Sequence, residues 1–275
     1  MIHRGRPGSL VRLGLIVVSL ALGLVAACST ASGGGSTPQG VELTVYAAAS
    51  LKGALEAAKN AYAVAAPGVT LTVATDSSST LRTQIEQGAP ADVFLSADQT
   101  NPTRLIDGGL AAGAAVDFAG NTLVVIVPLT NPAGIAAPAD LAKPGLKIIA
   151  AGAEVPITTH ATQAVENLAT QPGYPPAFAA AYAANIVSKE DNVKAVVAKV
   201  ELGEGDAAIV YTTDAKASTK VKPIESPSTA NHPADYAGIV VKASAHVEAA
   251  RAFLTWLAGP GGQAVLTTFG FLPPP

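Results

Sequence analysis

Short apolar runs alternate with amphipathic segments along the chain from residue 41 onward. The first run occupies residues 44–49 and stops at Ser50, after which apolar side chains recur at helical spacing from Leu51 to Tyr62. This spacing predicts a strand that leads directly into an amphipathic helix. The same order of strand and helix recurs to the end of the chain, so we expect parallel sheets covered by helices.

The pattern predicts the remaining strands and helices in the same alternating order. The strands are expected at residues 69–74, 91–96, 121–128, 146–150, 207–211, 220–225 and 236–241. The helices are expected at residues 81–87, 103–106, 159–168, 177–184, 193–200 and 247–257, with one more after residue 262. In such sheets a ligand usually lies beyond the carboxyl ends of the strands, where the helix N-termini point.

Five of the predicted helices begin in segments rich in hydroxyl groups or free backbone N–H groups. These segments contain Ser50, residues 75–80, residues 155–159, residues 190–193 and residues 208–213. The first N–H groups of a helix have no intrahelical partner, and together with the helix dipole they favour a bound anion. Taken alone, a serine such as Ser50 is more simply interpreted as an N-cap. The recurrence at five helix starts instead indicates one shared anion pocket.

The first 27 residues have the pattern of an export signal. Three arginines precede an apolar stretch at residues 13–27 that ends in small side chains. A transmembrane anchor is the alternative, but this stretch is shorter than the roughly 20 residues that a span needs. It ends in VAAC, which resembles the lipobox of bacterial lipoproteins, where the cysteine becomes the lipidated first residue. Cys28 is the sole cysteine, so no internal disulfide can form and we expect Cys28 to carry a lipid anchor.

Residues 28–40 are rich in glycine and serine and predict a flexible tether. The chain that follows has the composition of a globular α/β protein, long enough for one large or two modest domains. The formal net charge is −3, and removing a signal with three arginines and no acidic residue leaves −6. We therefore expect no nucleic-acid partner, and an anion site has to work through local groups rather than net charge.

An ordered set of motifs from about residue 42 to the C-terminus resembles the periplasmic molybdate-binding proteins of ABC transporters. The motifs, in chain order, are YAAASL from Tyr46, SSSTL from Ser77, GAPADVFLSAD from Gly88, GNTLV from Gly120, VP from Val155, EDNV from Glu190 and IVYTTDA from Ile209. The order of the whole set, rather than any one tetrapeptide, makes this resemblance specific.

The resemblance implies a two-lobed α/β fold of the type II periplasmic-binding-protein (venus flytrap) class, with the ligand in the cleft between the lobes. Residues 41–120 and 225–275 would form the first lobe, and residues 121–224 the second. The chain would cross between the lobes near residues 118–121 and 222–226. It further implies a monomeric, extracytoplasmic, lipid-anchored protein that delivers molybdate or tungstate to the permease and ATPase of an ABC transporter.

The family binds its tetrahedral oxyanion without any cationic side chain. By position, the first lobe would supply hydroxyl and backbone N–H groups, and the second would supply backbone N–H groups and a phenol. The implied ligand-binding residues are Ser50, Ser78, Ile157, Val193 and Tyr211. Because these groups would bind molybdate through its oxygens, neither a direct metal ligand nor a cofactor is expected.

Two positions depart from the family pattern, and one choice stays open. Ile157 is bulky where the family often carries a small residue. Asp76 adjoins the serine-rich turn, where a carboxylate that faced the ligand would repel it, so we expect Asp76 to face outward as a helix cap. Within the turn, Ser77 and Ser79 remain alternatives to Ser78 as the hydroxyl donor.

A cage of neutral donors at rigid helix starts selects its ligand by size and protonation. A smaller tetrahedral oxyanion leaves some donors unpaired, which is costly once the site is buried. Phosphate carries a proton that needs an acceptor, and a donor-only pocket has none. Both arguments favour molybdate and tungstate over sulfate and phosphate.

The competing functions belong to other classes. An enzyme is not expected, because the chain has neither a Gly-x-Ser-x-Gly elbow nor the spacing of paired carboxylates or clustered metal ligands. His160, His232 and His246 are scattered, and a catalytic pair would require them to meet a serine in space. The nearest rival is a binding protein of the same fold for sulfate, phosphate or an organic anion.

Overall fold

The computed structural model describes residues 40–275. The predicted signal at residues 1–27, the predicted lipidation site Cys28 and nearly all of the tether lie outside the described residues. Within residues 40–275, no helix is both long enough and apolar enough to cross a membrane.

The described chain contains ten strands and nine α-helices. The strands are β1 (Val41–Ala48), β2 (Val69–Asp76), β3 (Val93–Ser96), β4 (Val116–Asn121), β5 (Leu123–Pro128), β6 (Ile148–Ala151), β7 (Ile186–Glu190), β8 (Ala208–Tyr211), β9 (Val221–Ile224) and β10 (Ala234–Val240). The helices are α1 (Lys52–Ala65), α2 (Ser78–Glu86), α3 (Thr100–Asp107), α4 (Pro156–Ala169), α5 (Phe178–Ala184), α6 (Val193–Glu201), α7 (Thr212–Lys216), α8 (Val247–Ala258) and α9 (Pro260–Thr268). Every helix and strand predicted from the sequence is present, with shifted ends. Strands β4 and β7 were not predicted, and α7 was expected only as a helix start at residues 208–213.

The first lobe is built on a five-stranded sheet in the order β2-β1-β3-β10-β4. Strand β1 runs parallel to both β2 and β3, while β10 runs antiparallel to β3 and β4. The last residues of the chain return to this sheet, because Gly120 and Leu272 form an antiparallel bridge.

The second lobe repeats the same strand order. Strand β5 pairs antiparallel with β8 and β9, and β6 pairs parallel with β7. A parallel bridge between Ile148 and Ala207 joins the two groups of strands. The order is therefore β7-β6-β8-β5-β9, which matches the first sheet strand for strand.

The prediction of parallel sheets is wrong for one strand in each sheet, because β5 and β10 are antiparallel. Each of them is the first strand after the chain has crossed from the other sheet. The crossing segments, Thr122 and residues 225–233, arrive at the edge where the parallel strands end. A strand that enters from that edge has to run away from it, and so lies antiparallel to its neighbours.

The hydrophobic core follows the predicted apolar faces. On α1, the side chains at the predicted helical spacing are all buried, from Leu51 at 0% exposure to Tyr62 at 3%. The apolar face of α6 is likewise buried, and every residue of β5 is buried as its continuous apolar run predicts. Strand β7 was missed because its side chains are half-buried or exposed, so it carries no apolar run.

Candidate functional site

A small cavity lies where strand ends and helix starts of the two lobes meet. The first lobe contributes Ala48, Ala49, Ser50, Ser77, Ser78 and Ala97. The second lobe contributes Val155, Pro156, Ile157, Asn192, Val193 and Tyr211. The structure therefore brings together all five residues that the sequence resemblance assigned to the ligand, and it brings them to the carboxyl ends of the strands.

Ser50 lies in a 3-10 turn, Ala49–Leu51, between β1 and α1. Its side chain forms no cap bond there, so the simple N-cap interpretation does not hold for this residue. The Oγ atom lies 2.9 Å from the phenol oxygen of Tyr236, a residue that sequence reasoning did not single out. Ser50 is 6% exposed, which leaves its hydroxyl group between Tyr236 and the cavity.

The three serines at the start of α2 have different partners. Ser77 is the N-cap, and its Oγ accepts the N–H of Thr80 at 3.2 Å. Ser79 hydrogen bonds to Ser77 through the two hydroxyl groups, at 3.0 Å. Ser78 accepts the backbone N–H of Ala97 at 3.1 Å, so its own proton remains available to a ligand. Of the three, Ser77 and Ser78 line the cavity and Ser79 does not.

Asp76 is not the helix cap that was expected. Ser77 holds that position, and Asp76 instead accepts the N–H of Ser77 at 2.7 Å through Oδ1. The same oxygen accepts the side-chain amide of Asn192 in the second lobe at 3.0 Å. The carboxylate is thus engaged between the lobes, and Asp76 is absent from the residues that line the cavity.

The start of α4 explains how a bulky isoleucine fits beside the cavity. Pro156 occupies the first helical position and has no N–H group, so the first N–H of this helix belongs to Ile157. The Ile157 side chain is 2% exposed and belongs to the hydrophobic core. The backbone can therefore face the cavity while the side chain packs away from solvent.

The start of α6 has a side-chain cap that leaves its first N–H free. The Oδ1 atom of Asn192 accepts the N–H of Ala195 at 3.1 Å. Val193, the first helical residue, has no intrahelical acceptor for its own N–H, and its side chain is buried in the core. Asn192 lies in the EDNV motif directly before α6, so its place in the sequence could have indicated that it caps this helix.

Tyr211 ends β8 and is 1% exposed. Its phenol oxygen is buried and forms no hydrogen bond of acceptable geometry within residues 40–275, although the ring of Tyr236 packs against that of Tyr211. Burial raises the pKa of Tyr211 well above its ordinary value, so the phenol is a neutral donor at physiological pH. A buried hydroxyl group without a partner is costly, and a ligand oxygen in the adjoining cavity would satisfy it.

Within the described part of the chain, no cationic side chain lines the cavity, and a partly buried ion pair lies outside the lining. The Asp214 carboxylate is 2.8 Å from the Lys194 ammonium group, one residue after Val193. Burial raises the pKa of Asp214, although Lys194 opposes the shift. Among residues 40–275, no group of histidine, cysteine and acidic side chains is arranged to hold a metal ion.

A larger open depression beside His160 does not fit an oxyanion. Three carboxylates, those of Asp98, Glu154 and Asp235, line it against one arginine, Arg104. This balance would repel a dianion. The small neutral cavity is therefore the better candidate.

Comparison with known proteins agrees with this geometry. The family model described as bacterial extracellular solute-binding protein matches residues 43–272. The molybdate-binding protein ModA of Mycobacterium tuberculosis is 35% identical over 265 residues, covering 95% of this chain and 97% of the relative. The periplasmic molybdate-binding protein of Azotobacter vinelandii has a similar structure, with a TM-score of 0.71 and 25% identity over 85% of this chain and 100% of that protein.

A third relative shows only the fold. The sulfate-binding protein SubI of Mycobacterium tuberculosis superposes with a TM-score of 0.74 over 85% of this chain and 87% of that protein, at 20% identity. The same architecture therefore occurs in proteins named for different oxyanions, and the choice of anion has to be argued from the cavity.

Proposed function

The chain belongs to the bacterial extracellular solute-binding protein family, and we propose on that premise that it captures molybdate, and tungstate about equally well, for import by an ABC transporter. The observation that carries the proposal is the buried phenol of Tyr211, which has no partner and borders a cavity of neutral donors. A buried dianion requires a donor at each oxygen, and this cavity offers donors from both lobes.

We assign the ligand contacts as follows. The hydroxyl groups of Ser50 and Ser78 donate from the first lobe. The backbone N–H groups of Ile157 and Val193 and the phenol of Tyr211 donate from the second. Ser78 is preferred over Ser77 because the Ser77 hydroxyl already takes part in the cap of α2 and in bonds to Ser79 and Thr80.

Selection among oxyanions follows from the donor role of this set, in which the three hydroxyl groups direct their protons at the ligand. The pKa of Tyr211 is raised, so its phenol stays protonated, and backbone N–H groups cannot accept. A protonated phosphate oxygen would lack a partner, and the shorter bonds of sulfate would leave one or more donors unpaired. The similarity to proteins named for molybdate supports the same choice.

The proposal includes lobe closure and membrane attachment. Residues 41–120 and 225–275 form one lobe and residues 121–224 the other, and binding selects the closed form because donors from both lobes meet on one anion. A lipid on Cys28 and the tether after it would hold the monomer outside the cytoplasm, within reach of the permease. The permease and its ATPase are the partners that this arrangement requires.

Thermal melting of residues 41–275 with a panel of oxyanions tests the function. A ligand that binds only the folded protein stabilises it by about 4 kcal/mol at a thousandfold excess over its dissociation constant. We expect molybdate and tungstate to raise the melting temperature by several degrees, and sulfate and phosphate to have little effect at the same concentration. An equal or larger shift with sulfate would refute the molybdate assignment. A shift with an organic acid alone would refute the oxyanion assignment as well.

A further inference from the structure

A series of buried hydrogen bonds runs from Ser50 past Asn121, the residue before the crossing between the lobes, to Thr213 in the second lobe. It joins Ser50 Oγ to the phenol of Tyr236 at 2.9 Å, and the amide nitrogen of Asn121 to that phenol at 3.4 Å. The same amide nitrogen donates to the hydroxyl oxygen of Thr213 at 2.8 Å. Tyr236 and Asn121 are 0% and 1% exposed, so water does not replace these partners.

The orientation of the Asn121 amide decides which atoms accept in this series of hydrogen bonds. The backbone N–H of Thr122 lies 3.0 Å from one amide atom of Asn121, and a backbone N–H only donates. The atom that faces Thr122 is therefore the oxygen, which fixes the amide nitrogen on the side of Tyr236 and Thr213. The amide nitrogen of Asn121 donates one proton to the Tyr236 oxygen and the other to the Thr213 oxygen.

The amide nitrogen of Asn121 only donates, and the phenol of Tyr211, although nearby, forms no hydrogen bond of acceptable geometry with Tyr236. Within residues 40–275, Ser50 Oγ is therefore the acceptor for the Tyr236 proton. Burial raises the pKa of Tyr236 far above its ordinary value, so this proton is not lost. A serine hydroxyl has one proton, and Ser50 Oγ already accepts from Tyr236. The Ser50 proton is then free to point into the cavity.

We propose that Tyr236 and Asn121 are positioning residues that hold the Ser50 hydroxyl as a donor to the bound anion and thereby disfavour protonated oxyanions. This inference rests on the proposed function and adds the residues that enforce its selectivity. Ser50 is one of the few cavity groups that could in principle accept a proton. With Tyr236 donating to one lone pair of Ser50 Oγ, the Ser50 proton is directed at the ligand. A fully deprotonated tetrahedral dianion accepts this proton, whereas an O–H group of a protonated anion at the same place would face another proton.

The test is a double-mutant cycle with Ser50→Ala and Tyr236→Phe, measured by calorimetric titration with molybdate. We expect Tyr236→Phe to weaken binding about 3- to 10-fold, the effect of losing one buried neutral hydrogen bond that orients a donor. In the Ser50→Ala background the same substitution should have almost no effect, because the group it orients is gone. Tyr62→Phe, which removes a buried phenol from α1 outside the cavity, is the matched control and should leave affinity unchanged.

A second measurement separates positioning from general loosening of the fold. Phosphate near neutral pH always carries at least one proton, so Tyr236→Phe should weaken phosphate binding less than molybdate binding, or strengthen it. An equal loss for both anions, or additive effects of Ser50→Ala and Tyr236→Phe, would overturn the inference. Asn121→Ala offers an independent variant that should show the same non-additivity with Ser50→Ala, and melts without ligand identify any variant that fails to fold.

The wild-type titration keeps this inference distinct from the proposed function. If sulfate binds the wild type and molybdate does not, the molybdate assignment fails, and the same cycle run with sulfate still decides the role of Tyr236. If no oxyanion binds the wild type, both the proposed function and the role of Tyr236 are refuted.

Discussion

Asp76 and Asn192 connect the two lobes beside the cavity through a hydrogen bond of 3.0 Å between carboxylate Oδ1 and amide Nδ2. The orientation of the amide is fixed, because its oxygen accepts the backbone N–H of Ala195 and its nitrogen must face Asp76. One asparagine therefore caps the helix whose first N–H borders the cavity and also ties that helix to the opposite lobe. Such a bond exists only while the lobes are together, so it favours the closed form.

Replacing Asp76 tests this interlobe bond. Asp76→Ala removes the acceptor for Asn192, so we expect molybdate affinity to fall about 2- to 10-fold, the range for one partly exposed hydrogen bond. Asp76→Asn retains an oxygen that can accept and should change affinity by less than about threefold. Calorimetric titration of both variants compares them directly. A marked gain in affinity for Asp76→Ala would mean that the carboxylate repels the ligand.

Tyr211→Phe removes one donor while the ring keeps its packing, with its centroid 5.8 Å from that of Tyr236. Hydrogen bonds to charged groups contribute about 1.5–3 kcal/mol, so affinity should fall roughly 10- to 150-fold. The ligand-free variant should be at least as stable as the wild type, because a buried hydroxyl group without a partner is eliminated. Paired titrations and melts test both points, with Tyr62→Phe as the control. Unchanged affinity would remove Tyr211 from the ligand contacts.

The sequence predicted the helices and strands whose buried face is visible as a local pattern of apolar residues. The stripe from Leu51 to Tyr62 and the apolar run of β5 mark buried faces directly, so those elements were predicted correctly. The antiparallel direction of β5 depends on how the chain enters its sheet, which no local pattern encodes. Tyr236 was missed for a similar reason. A tyrosine within a predicted strand is normally assigned to the hydrophobic core, and only the structure shows that its hydroxyl group contacts Ser50.

The N-terminal processing also has a direct test. If Cys28 is the modified first residue of the mature protein, intact-mass analysis of membrane-extracted material should show a chain that begins there and carries a diacyl or triacyl adduct. The expectation comes from the VAAC sequence that follows a short apolar stretch. Cys28→Ala should release the protein from the membrane fraction. A mature chain that starts at another residue would contradict the assignment.

His160 introduces a pH dependence at the interface of the lobes. It lies one turn after Ile157 on α4, and its Nε2 atom is 3.3 Å from the carbonyl oxygen of Ala97 in the first lobe. A carbonyl only accepts, so Nε2 carries the proton and the other ring nitrogen, Nδ1, is unprotonated. Nδ1 is buried with no partner within residues 40–275, and a second proton there would have no acceptor.

Burial is the main cause that lowers the pKa of His160 below 6.5. The Ala97 hydrogen bond opposes the shift, nearby His232 adds to it, and the carboxylates of Asp98 and Asp235 oppose it. Because the folded pKa is depressed, the stabilising contribution of neutral His160 is complete above the unfolded pKa. It is lost as the pH falls toward the folded pKa, because the unfolded state binds the proton more readily.

We therefore expect the free energy of unfolding to fall as the pH is lowered from about 7 to about 5, with His160 contributing at most about 1.4 kcal/mol per pH unit. His160→Gln keeps an amide donor for Ala97 and removes the titrating group, so its unfolding free energy should depend less on pH in this window. His246→Gln replaces an exposed histidine and serves as the matched control. Denaturant unfolding at several pH values measures the three slopes. If His160→Gln retains the wild-type slope, then the proton uptake that destabilises the fold occurs at another residue.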